Sequence, residues 1–208
     1  MRILKMIAAI VATVILAAVA GGAPALAAGP EDSVNSFHET LLGLMKQGRM
    51  LGESGRYARI EPVIRRLFDI PSMARLAVGA TWASLSQAQQ EATAAAFGGY
   101  ISATYADRFD SYSGQQMEVV GQQPSGSGVI VRARLIKAGG EPVEIDYVMR
   151  QNDGVWQMSD VYLDGTTSQL ATQRSQFGAI LRREGFEGLI ATLHRKIDLL
   201  TGNGARAS

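Results

Sequence analysis

Cysteine is absent from this chain of 208 residues, which excludes a disulfide framework and thiolate chemistry. Its stability must come from ordinary packing. Histidine is scarce too, with His38 and His194 alone. His194, between Leu193 and Arg195 near a helix end, is accounted for by the helix dipole, and both histidines read as structural or solvated. No Gly-x-Ser-x-Gly elbow and no Gly-x-x-x-x-Gly-Lys loop occurs, so nucleophilic and phosphate-loop chemistries lack their motifs. An excess of either charge is missing as well. With 20 basic and 19 acidic residues there is no electrostatic case for nucleic acid. No residue set points to a bound metal or cofactor.

The one long apolar run lies at the start. Arg2 and Lys5 precede Met6 to Ala20, and Ala25-Leu26-Ala27 places small residues where a signal peptidase reads. The run is shorter than the ~20 residues a membrane-spanning helix needs. Residues 1–27 therefore read as a cleaved secretory signal peptide rather than an anchor. Cleavage takes 27 of the 208 residues and leaves 181, enough for one domain with a sizeable core. Losing Arg2 and Lys5 leaves 18 basic against 19 acidic residues, a mature charge of −1.

What remains changes period once. Val34, Phe37, Leu41, Leu44 and Met45 recur at helical spacing behind Ser33, with a stop near Gly48. After a connection from Gly48 to Gly55, Tyr57, Ile60, Val63, Ile64 and Leu67 form a second helical face, with Pro62 suited to a first turn. Phe68-Asp69-Ile70-Pro71 breaks the pattern. A short helix restarts over Ser72 to Val78, Gly79 closes it, and Trp82 falls in the next turn. Ser86 with Gln89 forms a capping-box pair ahead of Ala92, Ala96, Phe97, Tyr100, Ile101, Tyr105 and Phe109, the longest expected helix.

From Gln116 the period is two. Strands are expected over Gln116 to Val120, Val129 to Lys137, Val143 to Arg150 and Trp156 to Leu163, joined by turn-rich linkers as an antiparallel meander. Val143, Ile145, Tyr147 and Met149 share one face; Glu144, Asp146 and Arg150 share the other. Asn152-Asp153-Gly154 is a hairpin signal. Two amphipathic helices follow, one carrying Leu170, Phe177, Ile180 and Leu181, the other Phe186, Leu189, Ile190, Leu193, Ile197 and Leu200. Residues 201–208 read as a loose tail. Helices before and after one run of strands imply a single α+β domain over residues 28–200, with helices on one face of an antiparallel sheet.

Carboxylates are the remaining catalytic option. Asp107 and Asp110 read as a solvated helix end and Asp164-Gly165 as a turn. Asp160 is placed by alternation on one strand face with Trp156, Met158 and Tyr162, where a structural hydrogen bond is the leading explanation. The apolar groups of the alanine-rich helix, the short helix and the Tyr147 sheet face could enclose a chain-shaped pocket, or simply form a core. Spacing leaves both readings open.

Val63-Ile64-Arg65-Arg66-Leu67-Phe68-Asp69-Ile70-Pro71-Ser72-Met73-Ala74, followed by Gly79-Ala80-Thr81-Trp82, Gln89 and Phe97, resembles the first signature of the MlaC-like, or toluene-tolerance, family of periplasmic lipid carriers. Tyr147, Trp156, Asp160-Val161, Gly165, Arg174-Ser175-Gln176-Phe177 and Gly185-Phe186-Glu187-Gly188-Leu189-Ile190 resemble its second. Thr166-Thr167 and Gln173 depart from the common family residues, and Asp164-Gly165-Thr166 with Ser168-Gln169-Leu170-Ala171 looks like the hopanoid-associated HpnM branch.

The resemblance implies a twisted antiparallel sheet of about four strands, with helices around a deep apolar cavity. It implies a monomeric periplasmic shuttle, not an enzyme, carrying phospholipid or hopanoid between the inner and outer membranes. Its expected partners are an inner-membrane transporter of ABC or RND type and an outer-membrane lipoprotein complex. Expected lipid-lining residues are Met73, Leu76, Val78, Trp82, Phe97, Tyr100, Ile101, Tyr105, Ile145, Tyr147, Met149 and Val161; Arg65, Arg66 and Arg150 are candidates for head-group or partner contact. Two other readings compete. One is a small exported hydrolase or isomerase using a cavity carboxylate such as Asp160; the other is a non-lipid adaptor with a filled core.

Overall fold

A five-stranded antiparallel sheet in the simple order β1-β2-β3-β4-β5 organises the chain in a computed structural model that describes residues 29–137 and 139–202. The strands are β1 Gln116–Ser125, β2 Gly128–Ile136, β3 Val143–Asn152, β4 Val155–Leu163 and β5 Thr167–Ser168. Helices α1 Pro30–Leu67, α2 Ile70–Val78 and α3 Gln87–Arg108 precede the sheet, and α4 Gln169–Leu200 follows it. This is the expected α+β arrangement, with β5 added as a short edge strand. The signal-peptide segment and residues 203–208 lie outside the described residues. Among the described residues, no helix is long and apolar enough to cross a membrane.

Both long helices are pairs joined at a glycine. Gly52 (φ 62°, ψ −178°) divides α1 and Gly185 (φ 68°, ψ −166°) divides α4. That backbone region is essentially closed to residues with a Cβ. The first break is narrower than the expected loop from Gly48 to Gly55, because residues on either side of Gly52 stay helical. Pro62 accordingly lies inside the second half of α1, not in a first turn. The buried Arg56 binds the pieces together: its Nε donates to the Ala106 carbonyl at 2.7 Å and its Nη1 to the Gly48 carbonyl at 3.1 Å. Ala106 sits in the last turn of α3, where carbonyls lack helical partners and positive charge is favoured.

Asp69 starts α2 by accepting the Ser72 backbone N–H at 3.3 Å, and Gly79 (φ 70°) closes it. A 3-10 turn, Gly79–Ser84, carries Trp82 to the start of α3. There the expected capping box forms: Ser86 Oγ accepts from the Gln89 N–H at 3.3 Å, and Gln89 Oε1 accepts from the Ser86 N–H at 2.9 Å.

In the sheet, Asp153 (φ 48°) and Gly154 (φ 80°) make the β3–β4 turn that the Asp-Gly signal predicted. Pro124, expected in a linker, sits in β1, whose outer edge needs no backbone donor. Register places Val131, Tyr147 and Val161 in one cross-strand row, and Ala133, Ile145 and Leu163 in the next. These rows face α1, α3 and α4 across a core that includes Phe37, Leu41, Ile64, Phe97, Phe177 and Leu189. A bulge changes the phase of β4: Val148 pairs with Asp160 but Met149 pairs with Met158. Met158 and Val161 therefore both point inward, and Asp160 does not share the face of Met158 as strict alternation predicts. Thr201, placed in the loose tail by sequence, is buried and donates through Oγ1 to the Ile197 carbonyl at 2.8 Å.

Candidate functional site

One face of α3 forms a wall opposite the sheet. Phe97, Tyr100, Ile101, Thr104, Tyr105 and Arg108 recur every three or four residues, so they form one stripe along the helix. Facing them are Leu135 of β2, Val143, Ile145 and Tyr147 of β3, and Val161 and Leu163 of β4. Between the two surfaces lies a pocket of about 430 Å³, within the ~300–1,000 Å³ usual for small-molecule sites. Met45, Phe68 and Met73 close one side of it, and Gln169, Leu170 and Gln173 from the start of α4 close another. Its wall is mainly apolar, and the space opens to solvent rather than being sealed.

Aromatic rings make the wall around Tyr147 stiff. Phe37 meets Phe68, Tyr105 and Tyr147 edge-on, with centroids 5.3, 5.2 and 6.3 Å apart, and Tyr105 stacks on Phe109 at 5.8 Å. Burial raises the hydroxyl pKa values of Tyr105 and Tyr147, so both stay neutral, with the nearby Arg108 charge partly opposing the rise at Tyr105. Tyr147 Oη is joined to the Nε2 of buried His38 by a hydrogen bond of 3.1 Å. Burial lowers the His38 pKa to about 4, so this ring is neutral at pH 7.

Of the lining residues expected from sequence, Met73, Phe97, Tyr100, Ile101, Tyr105, Ile145, Tyr147 and Val161 are at the pocket. Four are elsewhere. Leu76 lies on the outer side of α2 and is 43% exposed, because Ile70, Met73, Ala74 and Ala77 take the inward helical positions. Val78 and Met149 are buried in solid core, and Trp82 packs against that core from the 3-10 turn. Arg65, Arg66 and Arg150 lie away from the pocket. Arg65 pairs with Glu61 and borders a separate polar cleft with Asp69, Ser72 and Gln157; the Arg66 carbonyl accepts from Gln157 Nε2 at 3.0 Å; Arg150 is exposed on β3.

The cations at the pocket are Arg108 and Lys137, which sequence reading passed over. Arg108 continues the α3 stripe by one helical step, and Lys137 directly follows β2, so extending both periodicities identifies them. The same extension finds Thr104, Val143 and Leu163.

Asp160 is not at the pocket. Its Oδ1 accepts the N–H groups of Val161 at 2.7 Å and Leu170 at 3.1 Å, and its Oδ2 accepts the Ser168 hydroxyl at 2.6 Å. Those bonds satisfy a free N–H at the start of α4 and occupy the carboxylate that the enzyme reading required. Among the described residues no group of acidic or histidine side chains is arranged to hold a metal ion.

The MlaC protein family model matches residues 35–195, a span that contains α3, the sheet, the pocket and most of α4. This chain belongs to the MlaC family. Among solved structures, a phospholipid-binding protein from Ralstonia solanacearum, determined in complex with a phospholipid, superposes with a TM-score of 0.70. That match covers 84% of this chain and 98% of the other at 21% identity, and it carries the fold. Within the MlaC family frame, Asp160 and Gly165 of the second sequence signature join β4 to α4 together with Ser168, whereas Tyr147 and Val161 contribute side chains to the pocket.

Proposed function

We propose that this MlaC-family protein is a periplasmic carrier which holds the hydrocarbon of a membrane lipid in the pocket between α3 and the sheet. The observation that carries this reading is that pocket: about 430 Å³, walled by Phe97, Ile101, Tyr105, Ile145, Tyr147 and Val161, without an acidic side chain in its lining. Each methylene moved from water to such a wall gains about 0.8 kcal/mol. The structurally similar Ralstonia solanacearum protein was determined with a phospholipid, so phospholipid is the preferred cargo and a hopanoid is the second candidate.

The carrier acts as a monomer and forms no covalent intermediate. It passes lipid between the inner and outer membranes, meeting an inner-membrane transporter of ABC or RND type and an outer-membrane lipoprotein complex, with direction set by those partners. The neutral Tyr147 and Tyr105 hydroxyls and the fully engaged Asp160 support a carrier over a hydrolase or isomerase. The test is lipid extraction and mass spectrometry on natively folded protein isolated from its own cell envelope. About one lipid per chain is expected; well-folded protein that holds no lipid overturns the proposal, and the identity of the lipid decides between phospholipid and hopanoid.

A further inference from the structure

The charge of the pocket lining is one-sided. It includes Arg108 and Lys137 and no aspartate or glutamate, although the chain as a whole carries nearly equal numbers of both signs. Both cations are exposed, and among the described residues neither enters an ion pair or a side-chain hydrogen bond. The nearest comparable arginine on the sheet, Arg134, is by contrast paired with Glu144 at 2.8 Å. Arg108 comes at the end of the α3 stripe, after Tyr105, and Lys137 comes at the end of β2, after Leu135, so each ends an element whose earlier residues supply apolar wall. A ligand with its chain against Ile101 and Ile145 would thus carry its polar end towards two unneutralised positive charges.

We propose that Arg108 and Lys137 form a head-group site for an anion, so that the cargo is an amphiphile bearing a phosphate or carboxylate next to its chain rather than a neutral lipid. This rests on the carrier reading and makes it narrower. Arg108 supplies a planar fork suited to two oxygens of one acidic group, and Lys137 supplies a point charge from just beyond the end of β2. Because both are solvated, their contribution is selectivity of modest size that weakens with salt, while burial of the chain provides most of the affinity.

The test compares three ligands of identical eighteen-carbon chain on delipidated full-length mature protein by calorimetry: a lysophosphatidate, the free fatty acid and the neutral monoacylglycerol. At low ionic strength both anionic ligands are expected to bind about three- to tenfold more tightly than the neutral one, and raising salt should shrink that margin. Arg108→Gln/Lys137→Gln, at exposed positions, is expected to abolish the margin, each anionic affinity falling to that of the neutral ligand measured on the same variant. Equal binding of all three by the unaltered protein, or a margin that survives in the double variant, overturns the head-group site and leaves the carrier standing. If none of the three binds, the carrier reading itself fails. Inorganic phosphate, titrated alone, is expected not to bind measurably; binding of it that the double variant loses would assign the site to a free anion instead of a lipid.

Discussion

The Ser168 hydroxyl donates to Asp160 Oδ2 at 2.6 Å and accepts the Ala171 N–H at 2.9 Å, so one carboxylate fixes the start of α4 to β4 through its N-cap. Asp160 adds a second clamp by accepting the Leu170 N–H at 3.1 Å. Leu170 lines the pocket, which makes this joint part of how the pocket keeps its shape.

Replacing Asp160 by Ala leaves Ser168 without its acceptor and the Leu170 N–H without its cap. A loss of about 1–3 kcal/mol in unfolding free energy is expected, read from urea denaturation. Asp160→Asn, which keeps one acceptor oxygen, should lose less. Unchanged stability in Asp160→Ala would show that the clamp contributes nothing.

His38 supplies a pH dependence whose sign follows from its burial. Its folded pKa of about 4 lies below the ordinary 6.5, so between those values the unfolded chain binds the proton and the folded chain does not. The stability it confers is complete above about pH 6.5 and is lost as pH falls towards 4, amounting to about 2–3 kcal/mol between pH 7 and pH 4.5. Comparing the wild type with His38→Gln at both pH values removes the effects of carboxylates common to both. The wild type should lose more by that amount; parallel losses would mean that His38 titrates normally.

The two helix breaks offer a conformational test free of packing. An added Cβ at Gly52 or Gly185 meets nothing within 4 Å, yet both positions have φ near +65°, where only glycine is comfortable. Gly52→Ala and Gly185→Ala should each destabilise by about 1–3 kcal/mol through backbone strain alone. Full retention of the unfolding midpoint in either variant would mean that the break is unnecessary and the helix can straighten.

Most of the architecture was legible because local signals agreed. The Ser86 and Gln89 pair, the Asp153-Gly154 turn and the alternation of Val143, Ile145 and Tyr147 each specify backbone and burial together, and each element formed where these signals lay. Pocket membership was less legible because it depends on distance along an element as well as on its inner face. Met149 shares the inner face with Tyr147 but sits two residues further along, where Met158 and the core fill the space. Leu76 is apolar yet lies between the inward positions of α2. The β4 bulge leaves no mark in composition, and it turns Asp160 away from the face of Met158 that strict alternation predicts for it.

That difference between apolar character and position can be measured directly. Ile101 stands in the α3 stripe at the pocket, whereas Leu76 is 43% exposed on the far side of α2. Ile101→Trp fills space that the lipid would occupy and is expected to weaken lipid affinity at least about tenfold and so to lower co-purifying lipid, since excluding even two methylenes at ~0.8 kcal/mol each exceeds the ~1.4 kcal/mol that a tenfold change requires. Leu76→Trp enlarges a side chain already in water and should leave lipid content unchanged. Both variants should give native-like circular dichroism and one cooperative unfolding transition. Equal lipid in Ile101→Trp and the wild type would move the bound chain out of this pocket, and a loss confined to Leu76→Trp would place it against the outer face of α2 instead.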